Sequence, residues 1–475
     1  MVASFFDKAS LVKLLSKQIQ HRQVNRVLHG HPGVGLWDQR DIDVAAIMSE
    51  QRSPGRKRKN PLRVYVATPY CLPTNPDRCG FCLFPSEEYK GSKQLDQYLS
   101  YLRREGEMYR EFFENDSPES IYFGGGTSNL YQSPQLIELM EIVRAVFPAL
   151  SPDAEITLEG IPQTYTREKL ETMKSVGINR ISVGVQQFED RLIKFSGRKQ
   201  KKEHVLRVLE WCHDLGLRTG IDLIFGWPTQ TLEDMRKDLE IAVSLGVSHI
   251  THYELNVGGR TDFAINHAAT LPSIEATLEM FHASRDYLTK AGYRQVTTYD
   301  WERPGGTIQF EDATRRALAV GVEDQYDADL WGWGFAGVSN FAGNPKNPGW
   351  TYVNAARVSD YFSAIDAGHF PIQRGYHYTP DDLELNILYQ ALLGMAIDRR
   401  RYTMLFGDDV YEKYQLLWDV LAENGWLEVN AESLRLTDDG IFFTPTIQDL
   451  LSRPRVKAIQ AARVRSGRRE LGAVQ

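Results

Sequence analysis

Three of the four cysteines in this chain fall within twelve residues, at Cys71, Cys79 and Cys82. Three thiolates are an incomplete ligand set for structural zinc or an electron-transfer cluster, which ordinarily take four protein ligands. A [4Fe–4S] cluster held by three cysteines leaves one iron open to a substrate or cofactor, and an open iron means chemistry rather than storage. Two plainer readings stand beside it. Cys79 and Cys82 can form a zinc knuckle with Cys71 and a histidine, although no histidine lies between Pro61 and Gln200. A disulfide would suit an oxidising compartment. Cys212 sits at helical spacing with Val208 and Leu215 and reads as a buried core thiol.

Holding such thiols requires a scaffold, and the sequence alternates strand and helix patterns. Strands are predicted over 62–67, 120–123, 155–158, 180–185, 218–225 and 249–254. Helices are predicted over 94–113, 134–147, 167–176, 202–215 and 232–245. Such alternation makes a parallel sheet, in a barrel or partial barrel, with chemistry collected at the C-terminal strand ends. The cysteine loop, the glycines 124–126, Glu159, Gln186 and Gly226 all follow strands, so they are expected to share one mouth.

At 475 residues, 42% hydrophobic and 25% charged, the composition is that of a globular protein with one large domain and smaller additions. No apolar run approaches a bilayer span, and the residues Met1 to Lys8 lack a secretory pattern, so a cytoplasmic protein without membrane contact is expected. The net charge of -7 gives no hint of a nucleic-acid partner. Arg56–Lys59 and a tail with Arg453, Arg455, Lys457, Arg463, Arg465, Arg468 and Arg469 are basic exceptions, and the tail reads as a solvated, partly frayed end. His29 and His31 read as surface histidines capping a loop, with a place lining the substrate entrance or in a second metal site as the alternatives.

The order of motifs resembles the radical S-adenosylmethionine (SAM) superfamily, in its HemN-like branch of oxygen-independent coproporphyrinogen III oxidases and relatives. The resemblance rests on Cys79 to Cys82, Phe123 to Thr127, Glu159 with Ile161 and Pro162, Gly177 to Gln186, Gly197 with Arg198, and Asp222 to Pro228 with Gln230 and Thr231. It covers roughly residues 61–450. It implies a partial (β/α)6 TIM-like barrel over 61–300, after an N-terminal extension of residues 1–60. A glycine-rich bridging segment over 301–375, containing Ala328 to Ser339, would approach the active site from below. A small winged-helix-like α+β domain over 376–450 and the basic tail of 451–475 would follow.

The resemblance further implies a [4Fe–4S] cluster on Cys71, Cys79 and Cys82. Around it, Gly124, Gly125, Gly126 and Thr127 would meet the amino-acid end of SAM, with Glu159, Gln186, Arg198 and Asp222 as polar contacts. Phe81 would help place the adenine. Tyr65 would point inward near the sulfonium, as a cofactor contact and catalytic residue. A tight strand-to-helix turn also suits three glycines, and buried aromatic packing also suits Phe81 and Tyr65.

Two departures stand out. Seven residues separate Cys71 from Cys79 where the family usually has three, and Ala67 replaces a histidine. The expected function is therefore radical SAM chemistry on a small molecule, ranked first as class C-type methyl or methylene transfer with a second SAM. Oxidative decarboxylation or other modification of a tetrapyrrole, and a haem-binding chaperone, are the alternatives. A flavodoxin or ferredoxin is implied as reductant.

Overall fold

The computed structural model describes residues 6–23, 30–52, 60–259, 261–305 and 328–465. Arg56–Lys59, His29, Arg468 and Arg469 lie outside the described residues, as does 306–327 of the bridging segment.

Six strands form the centre: β1 (Leu62–Thr68), β2 (Ser120–Gly125), β3 (Glu155–Gly160), β4 (Arg180–Gln186), β5 (Arg218–Phe225) and β6 (His249–Glu254). They pair in parallel in chain order, with helices Ser92–Phe113, Ser133–Val146, Arg167–Ser175, Lys202–Asp214 and Leu232–Ser244 in the connections. This is the α/β partial barrel the sequence pattern predicts.

The period of two explains the layering. Val64, Val66, Ile121, Phe123, Leu158, Ile181, Val183, Ile221 and Leu223 are all 2% exposed or less and pack outward into the core shared with the helices. The alternate positions, among them Tyr65, Tyr122, Glu159 and Asp222, face the concave side and keep partial exposure. Local signals agree. Thr231 and Asp234 cap the helix Leu232–Ser244 reciprocally, and the helix Lys202–Asp214 stops at Gly216, whose φ of +65° a side chain would resist.

The sheet does not end with the barrel. β7 (Asp300–Glu302) runs antiparallel to β6. On the opposite edge β8 (Asp329–Trp333) lies parallel to β1, followed by antiparallel β9 (Val338–Asn344), β10 (Asn347–Asn354) and β11 (Ile372–His377). The glycine-rich segment expected to approach from below is thus a strand and turn beside β1. Apposed backbone explains its glycines: a Cβ on Gly332 would stand 2.3 Å from Val338 N.

The C-terminal region holds the helix Pro380–Leu393 and a three-stranded antiparallel sheet of β12 (Ala396–Asp398), β13 (Leu427–Val429) and β14 (Ser433–Leu436). A helix then runs from Thr444 to Arg465, across the expected boundary at 450. The frayed-tail expectation fails for 451–465. Arg455 holds buried Asp382 at 2.7 Å, and Arg463 donates to the Gly35 carbonyl at 3.2 Å. His31 is also not a surface residue: it is 2% exposed, 3.3 Å from Asp382 and edge-on to Tyr389. Among the described residues no helix is long and apolar enough to cross a membrane.

Candidate active site

Cys71 ends a two-residue strand that pairs with Glu87–Glu88 just beyond β1, so the two ends of the cysteine loop are tied to each other. Inside the loop a single tight turn over Asp77–Gly80 carries Arg78, Cys79 and Gly80 at φ of 50°, 59° and 75°. Thr74 Oγ1 accepts from Cys79 N at 2.9 Å, and Cys82 N donates to Arg78 O at 3.1 Å. The extra length of the loop packs on Gly197, where a Cβ would stand 2.3 Å from Asn75 O. The longer spacing is therefore absorbed by docking next to Arg198.

All three thiols are free and partly exposed, whereas Cys212 is wholly buried, as expected of a core thiol. Burial pushes Cys82 up to about 11, with Cys71, Cys79 and Glu159 adding repulsion, and burial also raises Cys71. Polar groups reach the sulfurs from two sides: Thr127 Oγ1 donates to Cys71 Sγ at 3.4 Å, and Arg198 Nη1 stands 4.0 Å from Cys79 Sγ. Among the described residues no three His, Cys, Asp or Glu side chains converge as ligands of a single metal ion. The donor set, three soft thiols with a hydroxyl and a guanidinium beside them and no fourth protein ligand drawn in, fits a multi-iron cluster, whose ligands stand farther apart than those of one ion.

The glycine run lines the wall next to these thiols. A Cβ on Gly124 would fill the space 2.6 Å from Tyr65 Oη and 3.0 Å from Glu159 Oε2. One on Gly126 would strike Tyr70 O at 2.4 Å, and Gly125 has φ +99°. Close approach and a tight turn both account for the run. The Tyr65 and Tyr122 rings stack at 5.8 Å, and Tyr122 Oη donates to Glu159 Oε2 at 3.4 Å. Burial, with the charges of Glu159 and Cys82, raises the Tyr65 phenol well above its ordinary value, so it stays protonated.

Opposite, Gln186 adopts φ 66° at a bulge after Gly184. Arg198 donates to Gly184 O at 2.5 Å and to Gln200 Oε1 at 2.8 Å, which fixes its guanidinium under the loop. Asp222 faces the same concavity from β5, in register with Gly184 and Thr251. The Phe81 ring packs on Trp227 at 5.3 Å and Phe263 at 6.1 Å, in a small apolar cluster with Leu192 and Leu255. It anchors the loop.

Two features escape the sequence reading. One is an amide relay: Gln230 receives Gly226 N at 2.7 Å and donates to Gln187 at 3.1 Å, while Gln187 donates to Ile224 O and Gln200 to Val185 O. It fastens the ends of β4 and β5, and of its three glutamines only Gln230 lies within the motifs quoted above. The other is Arg22, which reaches from the N-terminal segment to donate to Gly226 O at 3.0 Å. Nothing local in the sequence marks it.

Comparison with known proteins agrees with this geometry. The family described as "Radical SAM superfamily" matches residues 73–242. The heme chaperone HemW of Escherichia coli is 33% identical over 250 residues, 52% of this chain and 65% of that protein. HemW of Bacillus subtilis is 27% identical over 383 residues, 79% of this chain and 95% of that protein. Oxygen-independent coproporphyrinogen III oxidase of Salmonella typhimurium is 26% identical over 410 residues, 84% of this chain and 86% of the oxidase. In fold, the E. coli coproporphyrinogen III oxidase HemN superposes with a TM-score of 0.76 at 23% identity, covering 89% of this chain and 96% of that one. The fold is that of HemN, and residues 73–242, which include two of the three thiols, match the radical SAM superfamily. These relatives and the superposed structure are HemN and HemW proteins, so the chain is similar to the HemN-like branch of that superfamily.

Proposed function

We propose that this protein binds a [4Fe–4S] cluster through Cys71, Cys79 and Cys82, cleaves SAM, and acts on a tetrapyrrole. The observation that carries the reading is the convergence of three free thiols, a glycine wall and the Tyr65–Glu159–Arg198 group at the C-terminal ends of parallel strands. When bound, the cluster supplies the electron that splits SAM into methionine and a 5′-deoxyadenosyl radical.

The residues of the chain do the rest. Arg198, already oriented by Gly184 O and Gln200, holds the methionyl carboxylate through its planar fork. Gly124, Gly125, Gly126 and Thr127 receive the amino-acid end. Glu159 accepts from the amino group or ribose hydroxyls, Gln186 and Asp222 complete the polar wall, and the Phe81 backbone meets the adenine. Protonated Tyr65 keeps its hydroxyl beside the reacting sulfonium as a donor. A flavodoxin or ferredoxin supplies the reductant.

Methyl or methylene transfer with a second SAM, ranked first from sequence, is not the outcome adopted, because the named relatives are oxidases and haem chaperones. Oxidative loss of CO2 from a porphyrinogen side chain is the reading preferred. Haem binding is the second, favoured by the 33% identity to a heme chaperone. The test is mass spectrometry after anaerobic reconstitution and dithionite reduction, with and without coproporphyrinogen III. 5′-Deoxyadenosine that rises with substrate, with CO2 release, supports the oxidase. A haem absorbance band on titration, with no stimulation by substrate, supports the chaperone. Absence of 5′-deoxyadenosine from cluster-loaded protein overturns SAM cleavage.

A further inference from the structure

On β11, far along the sheet from the cysteine loop, Arg374 is 9% exposed. Its Nε is buried without a hydrogen-bond partner. The groups that face it are also cationic. The N-terminal segment pairs with β11 through reciprocal backbone bonds, Gln39 N to Gly375 O at 3.1 Å and Gly375 N to Gln39 O at 2.8 Å. In an antiparallel bridge the next residues stand opposite one another, so Arg40 is set across from Arg374. Arg463 arrives from the helix Thr444–Arg465, fixed by the Gly35 and Leu36 carbonyls with Asp38 3.6 Å from its Nε. Burial, then repulsion from Arg463 and Arg40, lowers the pKa of Arg374. The charges that act on Arg374 are therefore two further guanidiniums.

Like charges opposite one another repel, and a buried guanidinium without a counter-charge is costly. The floor of the barrel shows how this chain buries an arginine it keeps for structure: Arg180 is 3.3 Å from Glu155. Arg374 lacks any such partner among the described residues. Guanidinium forks match the two oxygens of a carboxylate or phosphate. We propose that Arg374, Arg40 and Arg463 form a binding site for an oxyanion, the phosphate or carboxylate group of a small ligand, at the junction of the N-terminal segment, β11 and the C-terminal helix. The bound anion would tie these three segments together.

The test is thermal unfolding and calorimetric titration of the full chain at constant ionic strength, using inorganic phosphate, succinate and a chloride control. Saturable stabilisation by phosphate or succinate is expected, with affinity weakened about tenfold or more in Arg374→Met. Without added anion, Arg374→Met should unfold no earlier than the wild type, since it removes an uncompensated charge. Arg40→Gln, at an exposed position, should weaken binding without disturbing the fold. A response to phosphate alone assigns a phosphate-bearing ligand, a response to succinate alone a carboxylate, and a response to both the shared chemistry. No saturable shift beyond chloride, or unchanged affinity in Arg40→Gln and in folded Arg374→Met, overturns the proposal.

Discussion

At the N-terminal ends of β3, β4 and β6, Glu155, Arg180 and His249 are each no more than 2% exposed, while at the other ends of the same strands Glu159, Gln186 and Glu254 remain partly open. On the floor the charges satisfy one another. Arg180 reaches Glu155 at 3.3 Å and donates to His249 Nδ1 at 2.9 Å, which leaves the His249 proton on Nε2, 3.2 Å from Asp300. Burial alone would raise Asp300, yet His249, Thr297 and Thr251 hold it below the usual carboxylate range. At the mouth, residues of the same types face a concavity that holds three free, partly exposed thiols. The same strands thus close the sheet at one end and keep binding groups available at the other.

The largest effect that would test this contrast is at the mouth. Cys79→Ala should abolish cluster assembly and 5′-deoxyadenosine formation, read as iron content and mass spectrometry. Cys212→Ala should leave both nearly unchanged, at a cost in stability of about 1 kcal/mol. Equal loss from the two variants would mean that the mouth is not the metal site.

On the floor the order of effects should reverse. Arg180→Met leaves Glu155 with Arg218 at 3.4 Å and the Thr157 hydroxyl at 3.2 Å, and should cost about 3 kcal/mol in denaturant unfolding, with SAM cleavage per folded molecule retained. Loss of cleavage without loss of stability would break the division between floor and mouth.

A third buried acid sharpens the comparison because its partners are neutral. Glu105 takes hydrogen bonds from Tyr361 at 2.5 Å, Asn354 at 2.7 Å and Gly334 N at 2.9 Å, yet burial pushes it up to about 7. A carboxyl with a higher pKa folded than unfolded makes the folded state bind protons more tightly. Its contribution to stability is therefore full below about 4.5 and declines as pH rises toward about 7. The stability difference between wild type and Glu105→Gln should shift against the wild type by about 1–3 kcal/mol across that window. A difference independent of pH would refute the raised pKa.

The smallest effect expected is at Arg198. Arg198→Lys keeps the charge and loses the fork, so SAM affinity should fall about tenfold, or about 1.4 kcal/mol, with little change in unfolding. Unaltered affinity would move the carboxylate contact elsewhere.

The six central strands and the placement of Cys71, Gly124, Glu159 and Gln186 at their ends were legible in the sequence because strand and helix periodicities are local, and parallel pairing then brings the strand ends together. The reading of residues 301–375 was less complete: pairing of β8 with β1 joins segments about 265 residues apart, and no local signal specifies it. His31 failed for the same reason. Its burial depends on Asp382 and Tyr389, more than 350 residues away in the chain.

The sequence by itself determined the close spacing of the three thiols, the alternation that builds a parallel sheet, and the caps and glycines that end its helices, since each depends on residues close together along the chain. Tertiary structure alone decided which charges are neutralised. Arg180 meets its acid across the barrel floor, Arg198 is aimed at the thiols by Gly184 and Gln200, and Arg374 is surrounded by other arginines. A guanidinium has the same intrinsic chemistry at all three positions, and only the groups folded around it make it a structural tie, a donor beside the thiols or the anion site proposed here.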